Sequence, residues 1–511
     1  MRINLLDYLH ETVNNVPEKT AVIEGDRSII FRDLVEKSKK LSCVIAQKTD
    51  NTIRKPIAVF MKKSIGTIVS DIAIVYSGNA YMNLDVKTPP ARIQSILELI
   101  NPALVIIEAD YTETLASIWP NEKTVCFDSL SWEELCYSQS DTDAVLARII
   151  DTDPLCIINT SGSTGVPKGV VLNHRSFIDF TEWAKETAQI KDSEIIGALS
   201  PIVFDIYSFE LCMLMSKGST IVLLEESLAA YPVRILQILA AQKVSFIFWV
   251  PTVMVNIANL GLLEKIPLPD LKTVWFAGEV FPTKQFNIWR KNLPYAKFIN
   301  LYGPIEITLD CTYFIVDRDL ADDEPIPIGY ACKNTDVLIL NESNQLCKVN
   351  EEGELCVRGT SLAMGYYNNP EKTAAVFVQN PLNTSYPEII YRTGDVALVN
   401  DRGEIIFKGR KDTLIKHSGY RIELSEIEHV IINKLKLVRN GCAVYDLNKK
   451  EIVFFYEAGE DASVAYLRKH IGEELPKYMI PTRYVQMEEL PRNTNGKIDR
   501  LKLKESINEQ V

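Results

Sequence analysis

The fold of this chain is decided by the stretch Ile158-Asn159-Thr160-Ser161-Gly162-Ser163-Thr164-Gly165-Val166-Pro167-Lys168-Gly169. It continues an apolar run, Leu155 to Ile158, that predicts a buried strand. Glycines let backbone N–H groups approach phosphate oxygens closely, while hydroxyl groups and a lysine ammonium add donors and positive charge. The sequence therefore predicts a phosphate-binding loop directly after a buried strand.

A Walker A loop is the obvious alternative, but it needs a glycine before the lysine and Ser or Thr after it. Here Pro167 precedes Lys168 and Gly169 follows it, so the Walker reading fails. The stretch instead resembles the phosphate loop of the adenylate-forming enzymes, which activate carboxylic acids with ATP. The residues that this resemblance assigns to ATP are Thr160, Ser161, Gly162, Ser163, Thr164, Gly165 and Lys168.

Length and composition narrow the class of protein. A chain of 511 residues is too long for one core, so at least two domains are expected. A net charge of -12 argues against nucleic acid as the main partner. The absence of a signal-peptide core and of an apolar run near ~18 residues predicts no membrane insertion and a cytoplasmic location. The 10 cysteines form no Cys-x-x-Cys pair and are expected to be reduced packing residues.

Short apolar strand candidates alternate with longer helical patterns over most of the chain. Examples are 56–60, 103–107, 219–224 and 273–277. This alternation predicts an α/β fold with a large N-terminal domain of largely parallel sheets. From about Thr335 to Gly409, closely spaced strands such as 336–340 and 353–357 predict an antiparallel or barrel-like β subdomain.

A domain boundary is predicted at Lys408-Gly409-Arg410-Lys411-Asp412. We expect a large core over residues 1–408, a hinge over 409–412 and a small, mobile α+β domain over 413–511. The small domain begins with a charged segment, Ile415 to Glu423. Gly409 and Gly419 bracket a stretch suited to a hinge, with an ordinary loop between strands as the alternative.

Further motifs recur in order along the chain. They are Phe204-Asp205-Ile206-Tyr207, Asn300-Leu301-Tyr302-Gly303-Pro304-Ile305-Glu306, Gly353-Glu354-Leu355, Gly365-Tyr366-Tyr367, Tyr391-Arg392-Thr393-Gly394-Asp395, Gly409-Arg410-Lys411-Asp412, Leu475-Pro476-Lys477-Tyr478-Met479-Ile480-Pro481 and Asn495-Gly496-Lys497-Ile498-Asp499-Arg500. Together they resemble an amino-acid adenylation domain of the nonribosomal peptide synthetase type. Stand-alone ligases such as D-alanine–D-alanyl carrier protein ligase share this pattern. The resemblance covers roughly Phe31 to Arg500 and implies amino acid activation as aminoacyl-AMP.

Adenylation brings a carboxylate against the α-phosphate of ATP, so the site must neutralise charge. The resemblance assigns Lys168 to the leaving phosphates and Glu306 to Mg²⁺, for which one carboxylate plus substrate oxygens suffices. It assigns Asp395, in a Thr-Gly-Asp turn, to the ribose hydroxyls. The remaining nucleotide contacts that it implies are Tyr302 stacking on adenine, the adjacent Gly303, and Arg410 at the ribose or α-phosphate.

The resemblance also implies a second step by a moving domain. Lys497 is the implied mobile catalytic lysine, a point charge that meets the substrate carboxylate and the α-phosphate. The small domain then rotates about Asp412, and the acyl group passes to a phosphopantetheine thiol. Because the chain ends 11 residues after Arg500, we expect the acceptor to be a separate carrier protein.

One position departs from the family pattern. Ile305 stands where the family usually has threonine, which puts one hydrogen bond near the phosphates in doubt, worth ~1–2 kcal/mol. Thr308 lies nearby in sequence. Asn83 replaces a usual proline, and we expect this change to matter little.

Asp205 is the strongest indication of the acid that is activated. A carboxylate in the apolar setting of Phe204-Asp205 needs a cationic partner, and the family uses this residue for the substrate α-ammonium. The alternative is an N-cap aspartate of a helix that starts at Ile206. The resemblance places the side-chain pocket at Ile206, Phe209, Phe248, Trp275, Ala277, Leu301, Leu309 and Asp310.

Three large rings in that pocket predict a small side chain, and Asp310 adds a polar acceptor. We expect a small polar side chain, serine-like or short and amino-bearing, with alanine or glycine next. Two other functions stay open, an acyl–coenzyme A synthetase and a catalytically idle nucleotide-binding scaffold. Asp205 argues against the first, and retention of Lys168, Glu306, Asp395 and Lys497 argues against the second.

Overall fold

The computed structural model describes residues 2–161, 167–411, 414–457, 463–492 and 498–508. Its strands are β1 Thr20–Glu24, β2 Arg27–Ile30, β3 Pro56–Phe60, β4 Ala80–Asn83, β5 Leu104–Ile107, β6 Thr124–Cys126, β7 Pro154–Thr160, β8 Lys168–Asn173, β9 Ile195–Ala198, β10 Thr220–Leu223, β11 Phe246–Trp249, β12 Thr273–Phe276, β13 Lys297–Tyr302, β14 Thr312–Ile315, β15 Tyr330–Ala331, β16 Thr335–Leu340, β17 Gly353–Gly359, β18 Gly365–Tyr366, β19 Phe377–Gln379, β20 Ile389–Val399, β21 Ile405–Arg410, β22 Leu414–His417, β23 Tyr420–Glu423, β24 Asn440–Asp446, β25 Glu451–Glu457 and β26 Arg483–Met487.

The helices lie between these strands. They are α1 Leu6–Asn15, α2 Phe31–Lys48, α3 Ile65–Tyr76, α4 Pro90–Ile100, α5 Thr112–Ala116, α6 Gln139–Leu146, α7 His174–Thr187, α8 Asp205–Lys217, α9 Pro232–Ala241, α10 Pro251–Asn259, α11 Thr283–Asn292, α12 Pro370–Val376, α13 Leu424–Glu428, α14 Val464–Glu474 and α15 Arg500–Asn508. None of these described helices is long and apolar enough to cross a bilayer.

Two large sheets form most of the molecule. A nine-stranded sheet has the order β15-β14-β13-β12-β11-β9-β10-β1-β2, in which the six strands from β13 to β1 run parallel. A seven-stranded sheet has the order β18-β8-β7-β4-β3-β5-β6, parallel from β7 to β6. Helices such as α3, α8 and α9 bury apolar residues against these sheets, which is how parallel sheets cover both faces.

The third region is antiparallel. The strands β16, β17, β20 and β19 pair in that order, and β21 pairs with β20. The hairpin β22–β23 follows, and the sheet β24–β25–β26 ends the chain's strands. From Ile422 onward, buried residues pack in two clusters of their own. The α/β fold class predicted from sequence is confirmed, and the predicted strands lie within two residues of their observed bounds.

The structure adds local detail to two expectations. The stretch bracketed by Gly409 and Gly419 contains the end of β21 and the whole of β22, and β23 follows it directly. Asp412 lies outside the described residues, so its hinge role and the division at 408 and 413 stay predictions. Asp395 lies inside the long strand β20 next to Gly394, at φ 73°, rather than in an isolated turn.

Candidate active site

The predicted phosphate loop joins two paired strands. Thr160 ends β7, Lys168 begins β8, and these two residues are partners across the antiparallel ladder. Thr160 and Ser161 line a cavity of about 160 Å³. The other loop residues of the prediction, Gly162, Ser163, Thr164 and Gly165, lie outside the described residues, as does Lys497.

The hairpin β22–β23 contacts the predicted phosphate residues directly. The Lys168 Nζ lies 3.0 Å from a Glu423 carboxylate oxygen, and both side chains are nearly buried. The Ser161 hydroxyl donates to the Arg421 carbonyl at 2.7 Å and accepts the Glu423 N–H at 3.0 Å. In this orientation a carboxylate of the hairpin holds the lysine that the sequence assigns to the phosphates.

Glu306, the predicted magnesium ligand, is also engaged by the hairpin. It is fully buried and accepts hydrogen bonds from Arg421 and from the Tyr366 hydroxyl, the latter at 2.7 Å. Burial alone would raise the pKa of Glu306, but the Arg421 guanidinium and the two hydrogen bonds outweigh it and lower that pKa. The ionised Glu306 carboxylate offers oxygen ligands of the kind that magnesium prefers. It would be available to the ion once the Arg421 guanidinium no longer occupies it.

The predicted ribose and adenine residues form one polar group. Arg410 donates to Asp395 at 2.6 Å across the β20–β21 pair, and the Tyr302 hydroxyl donates to the other Asp395 oxygen. The Lys416 ammonium lies 5.6 Å from the centre of the Tyr302 ring. Burial lowers the pKa of Lys416, with Asp395 opposing the effect and Arg421 adding to it. The structure therefore brings the predicted nucleotide residues together beneath the hairpin.

Two carboxylates line the cavity, Asp205 and Asp310. Burial raises the pKa of Asp205 to about 6, although the backbone N–H groups of Ile206 and Leu309 and the charge of Lys416 lower it. Burial raises the pKa of Asp310 well above its usual value, with the negative charge of Asp205 adding to the effect and Lys416 opposing it. Asp205 is the first residue of α8 and Phe204 its N-cap, so the helix starts one residue earlier than the N-cap alternative assumes.

Backbone strain positions Asp310. The preceding residues Thr308 and Leu309 have φ 52° and 64°, a left-handed conformation that is costly for a β-branched or bulky residue. A Cβ on Gly303 would lie 2.2 Å from the Leu309 carbonyl oxygen, so this close approach requires glycine. The predicted motif residue Gly303 therefore lets β13 pack against the turn that carries Asp310.

The predicted side-chain pocket divides into two sets. Ile206, Ala277 and Leu309 line the cavity together with Asp310. Phe209, Phe248, Trp275 and Leu301 are buried in the main core and lie outside the described cavity lining. Phe209 stacks on Trp275 at 5.2 Å, and Phe248 meets Trp275 edge-on at 5.5 Å. The rings contact one another in the hydrophobic core cluster that also contains Ile206, Ala277 and Leu309 of the cavity lining.

Several site residues were not predicted from the sequence. Lys416, Arg421 and Glu423 belong to the charged segment Ile415 to Glu423 that begins the predicted small domain, and their charge was the available signal. Asn83 lines the cavity and donates to Asp71 at 3.1 Å and to the Ile202 carbonyl at 3.3 Å. The Thr308 hydroxyl is buried without a hydrogen-bond partner among the described residues, so it does not substitute for the hydroxyl missing at Ile305.

The hairpin is held by further contacts outside the charged centre. Tyr420 stacks on Tyr478 at 3.7 Å and meets the Phe204 ring at 4.9 Å. The Gly419 N–H donates to Glu279 at 2.8 Å. Arg92 of α4 forms a buried ion pair with Glu426 of α13. The orientation of the C-terminal region thus rests on a packed interface and not on one ion pair.

Comparison with known proteins identifies the family. The AMP-binding enzyme family matches residues 9–367. The chain is 32% identical over 512 residues to tyrocidine synthase 2 of Brevibacillus parabrevis, covering 97% of this chain and 13% of that much longer protein. It is 30% identical over 503 residues to zwittermicin A synthase ZmaJ of Bacillus cereus, covering 96% of this chain and 92% of ZmaJ.

Solved structures share the fold. The adenylation domain AlmE of Vibrio cholerae, in complex with glycyl-adenosine-5'-phosphate, aligns with a TM-score of 0.85 at 19% identity over 100% of this chain and 98% of that one. PA1221, a nonribosomal peptide synthetase protein containing adenylation and PCP domains, aligns with a TM-score of 0.82 at 22% identity over 98% and 84% of the two chains. This chain is therefore a ligase of the AMP-binding enzyme family, an adenylate-forming enzyme of the nonribosomal peptide synthetase adenylation type.

Proposed function

We propose that the chain activates an amino acid as aminoacyl-AMP and transfers the aminoacyl group to the phosphopantetheine thiol of a carrier protein. In the first step a substrate carboxylate oxygen attacks the α-phosphorus of ATP, and pyrophosphate leaves. In the second step the thiol sulfur attacks the acyl carbon, AMP leaves and the thiol proton is lost to solvent. Each step has an anionic nucleophile or leaving group, so each depends on positive charge at the site.

The observation that carries amino acid activation is the pair of carboxylates that line the cavity. Asp205 and Asp310 are desolvated, and Lys416 of the hairpin is the described cation that acts on both. A buried carboxylate is costly without a cation, and the α-ammonium of an amino acid supplies one. A fatty or aryl acid brings no such group, so Asp205 distinguishes the proposal from an acyl–coenzyme A synthetase.

The nucleotide roles extend the same proposal. Lys168 would hold the leaving phosphates, Asp395 and Arg410 the ribose and α-phosphate region, and Tyr302 the adenine ring. Glu306 would hold Mg²⁺, which when bound supplies the charge neutralisation that phosphoryl chemistry needs. In the structure the Arg421 guanidinium pairs with the Glu306 carboxylate, and the Glu423 carboxylate pairs with the Lys168 ammonium. The hairpin contacts would therefore give way to Mg-ATP in the first step and form again after pyrophosphate has left.

We also propose a substrate with a short side chain that ends in a hydrogen-bond donor. The stacked rings of Phe209 and Trp275 belong to the same hydrophobic core cluster as Ile206 and Ala277, which line the cavity, so this packed core would limit the space for a long side chain. Asp310 accepts no hydrogen bond from a described residue, so a hydroxyl or ammonium would satisfy it. Serine-like or short amino-bearing substrates come first, with alanine or glycine next.

Transfer to a carrier protein rests on the hairpin orientation and on the relatives. The hairpin engages Ser161 and Lys168, two of the predicted phosphate residues, and an orientation in which it does so would suit the second step rather than the first. PA1221 contains adenylation and PCP domains, and the AlmE complex holds a glycyl adenylate. Both support the proposed pair of steps.

The first test is amino acid-dependent pyrophosphate release with Mg-ATP. The panel comprises the proteinogenic set, both enantiomers of alanine and serine, and short diamino acids. A clear response to one or a few establishes the reaction and names the substrate. Silence across the panel, with ATP binding intact, would overturn the proposal and favour the idle scaffold.

Two further experiments distinguish the adenylation step from the transfer step. Lys497→Ala should abolish adenylation, by at least about 100-fold, while ATP binding persists, because a transition-state charge is lost. Unchanged turnover in this variant would contradict the predicted role of Lys497. Supplying a phosphopantetheinylated carrier protein or coenzyme A as acceptor then distinguishes a carrier protein ligase from an acyl–coenzyme A synthetase.

A further inference from the structure

Lys63 lies outside the catalytic motifs, in the segment between β3 and α3 of the seven-stranded sheet. Its ammonium donates to three consecutive backbone carbonyl oxygens of the other large sheet, those of Ala198 at 3.0 Å, Leu199 at 3.0 Å and Ser200 at 3.1 Å. An ammonium has three N–H donors, so these three bonds use all of them. Lys63 thus joins the two large sheets at the carboxyl end of β9.

The three carbonyls begin the segment that leads to Asp205. The residues between β9 and α8 run from 199 to 204, and α8 begins at Asp205. The same segment is held a second time from the seven-stranded sheet, where the Asn83 amide donates to the Ile202 carbonyl. Residues 199–204 contain no strand or helix of their own. These side-chain bonds therefore help to fix the position of the backbone that leads into Asp205.

Lys63 also acts on the helix that Asp205 begins. Glu210 of α8 is 1% exposed, and neither of its carboxylate oxygens has a hydrogen-bond partner among the described residues. Burial raises the pKa of Glu210 to about 8, against the opposing charge of Lys63. The lysine is therefore linked to the chain on both sides of Asp205, by hydrogen bonds before it and by charge after it.

We propose that Lys63 is a positioning residue for amino acid binding, which fixes the segment 198–204 and so the carboxylate of Asp205. The proposal rests on the proposed function, because it treats Asp205 as the partner of the substrate α-ammonium. Lys63 itself would touch neither the amino acid nor ATP. Its loss displaces a carboxylate that binds the amino acid and leaves the ATP residues on β8, β13 and β20 in place.

The test uses Lys63→Met, which keeps the length of the stem and removes the ammonium. Lys62→Met is the matched control, since the neighbouring Lys62 is 57% exposed and pairs with Asp110 at the surface. With the amino acid found in the panel above, Lys63→Met should raise the amino acid KM about tenfold and change the ATP KM less than about twofold. Lys63→Arg should recover most of the amino acid affinity, because it restores a cation with N–H donors at the carbonyls.

Three outcomes overturn the proposal. The amino acid KM of Lys63→Met could equal that of Lys62→Met, both KM values could rise together, or Lys63→Arg could bind no better than Lys63→Met. If Lys63→Met does not fold, Lys63→Gln takes its place, since it keeps two N–H donors and should give a smaller rise in the same KM. A wild-type protein that responds to no amino acid would refute the proposed function itself, a result distinguishable from all of these.

Discussion

Two groups of carboxylates differ in how their charges are matched. In the group that is predicted to serve the nucleotide, each carboxylate meets a cation: Glu306 pairs with Arg421, Asp395 with Arg410, and Glu423 with Lys168. In the group that is proposed to serve the amino acid, Asp205 and Asp310 form no ion pair with any described residue. Two of the three pairs in the first group involve the hairpin β22–β23, whereas in the proposed function a ligand supplies the cation for the second group.

This difference suggests how one site can serve two reactions. Carboxylates and cations that are complementary to a movable element can bind that element or Mg-ATP, but not both. Carboxylates without an ion-pair partner would keep their preference for a cation throughout. The region of Asp205 and Asp310 would then hold the acyl group while the predicted nucleotide residues exchange their partners.

Asp205→Asn should give the largest effect on this comparison. The change keeps the shape and removes the charge, so the amino acid KM should rise about 100-fold, equivalent to about 2.7 kcal/mol. The ATP KM should stay within about twofold. Pyrophosphate exchange measures both values, and Asp192→Asn is the control because its side chain is 82% exposed. An unchanged amino acid KM would favour a substrate without an ammonium group.

The same substitution should stabilise the substrate-free protein, with a defined pH dependence. The pKa of Asp205 is raised from 3.8 to about 6, so the folded state binds more protons than the unfolded state between these values. Wild-type stability therefore falls as pH rises from about 4 to 6 and levels off above. The free energy of unfolding of Asp205→Asn should exceed that of wild type by about 3 kcal/mol at pH 7 and converge with it near pH 4. Denaturant titrations between pH 4 and 7 measure the free energy of unfolding of both proteins. A difference between them that does not change with pH would contradict the raised pKa of Asp205.

Arg421→Met removes the cation that pairs with Glu306 in the hairpin-bound orientation. Because Glu306 would keep a buried charge without that partner, this orientation should be disfavoured. We expect thioester formation to fall about tenfold and pyrophosphate exchange to change less than about threefold. Arg402→Met, at a 61% exposed side chain, is the control. Equal loss of both steps would show that the Glu306–Arg421 pair does not separate them.

Glu423→Gln should have the smallest effect and the opposite sign on ATP binding. Without the carboxylate, Lys168 is free to meet phosphates, so the ATP KM should fall about threefold. Glu352→Gln, at a half-exposed surface pair with Lys408, is the control. An ATP KM that does not fall would indicate that the Lys168–Glu423 pair and ATP do not compete.

The strands could be predicted from the sequence because the parallel sheets are buried on both faces and appear as apolar runs. The clustering of Lys168, Tyr302, Glu306, Asp395 and Arg410 followed from the resemblance, and the structure places them under one hairpin. Their functional roles stay predictions. The hairpin itself could not be predicted, since its contacts join residues as distant as Ser161 and Arg421, which are 260 positions apart.

The direction of side chains was the second feature that could not be predicted from the sequence. The pocket residues were named by position, but whether a ring faces the cavity or its neighbours depends on packing that one sequence does not reveal. The direction of Asp310 depends on left-handed backbone at two non-glycine residues, Thr308 and Leu309, an arrangement without a sequence signature. Asn83 was expected to matter little, yet it bonds to the segment before Asp205.

The stacked rings of Phe209 and Trp275 limit how the substrate range could be engineered. Phe209 and Trp275 have no exposed surface and belong to the main hydrophobic core of the large region. Trimming either ring to admit a longer substrate would also remove core packing, at a cost of roughly 3–5 kcal/mol for a large-to-small change. Attempts to broaden substrate range would therefore succeed first in backgrounds that had been stabilised elsewhere. Changes at Ala277 or Ile206, which line the cavity, offer a route that leaves the aromatic packing intact.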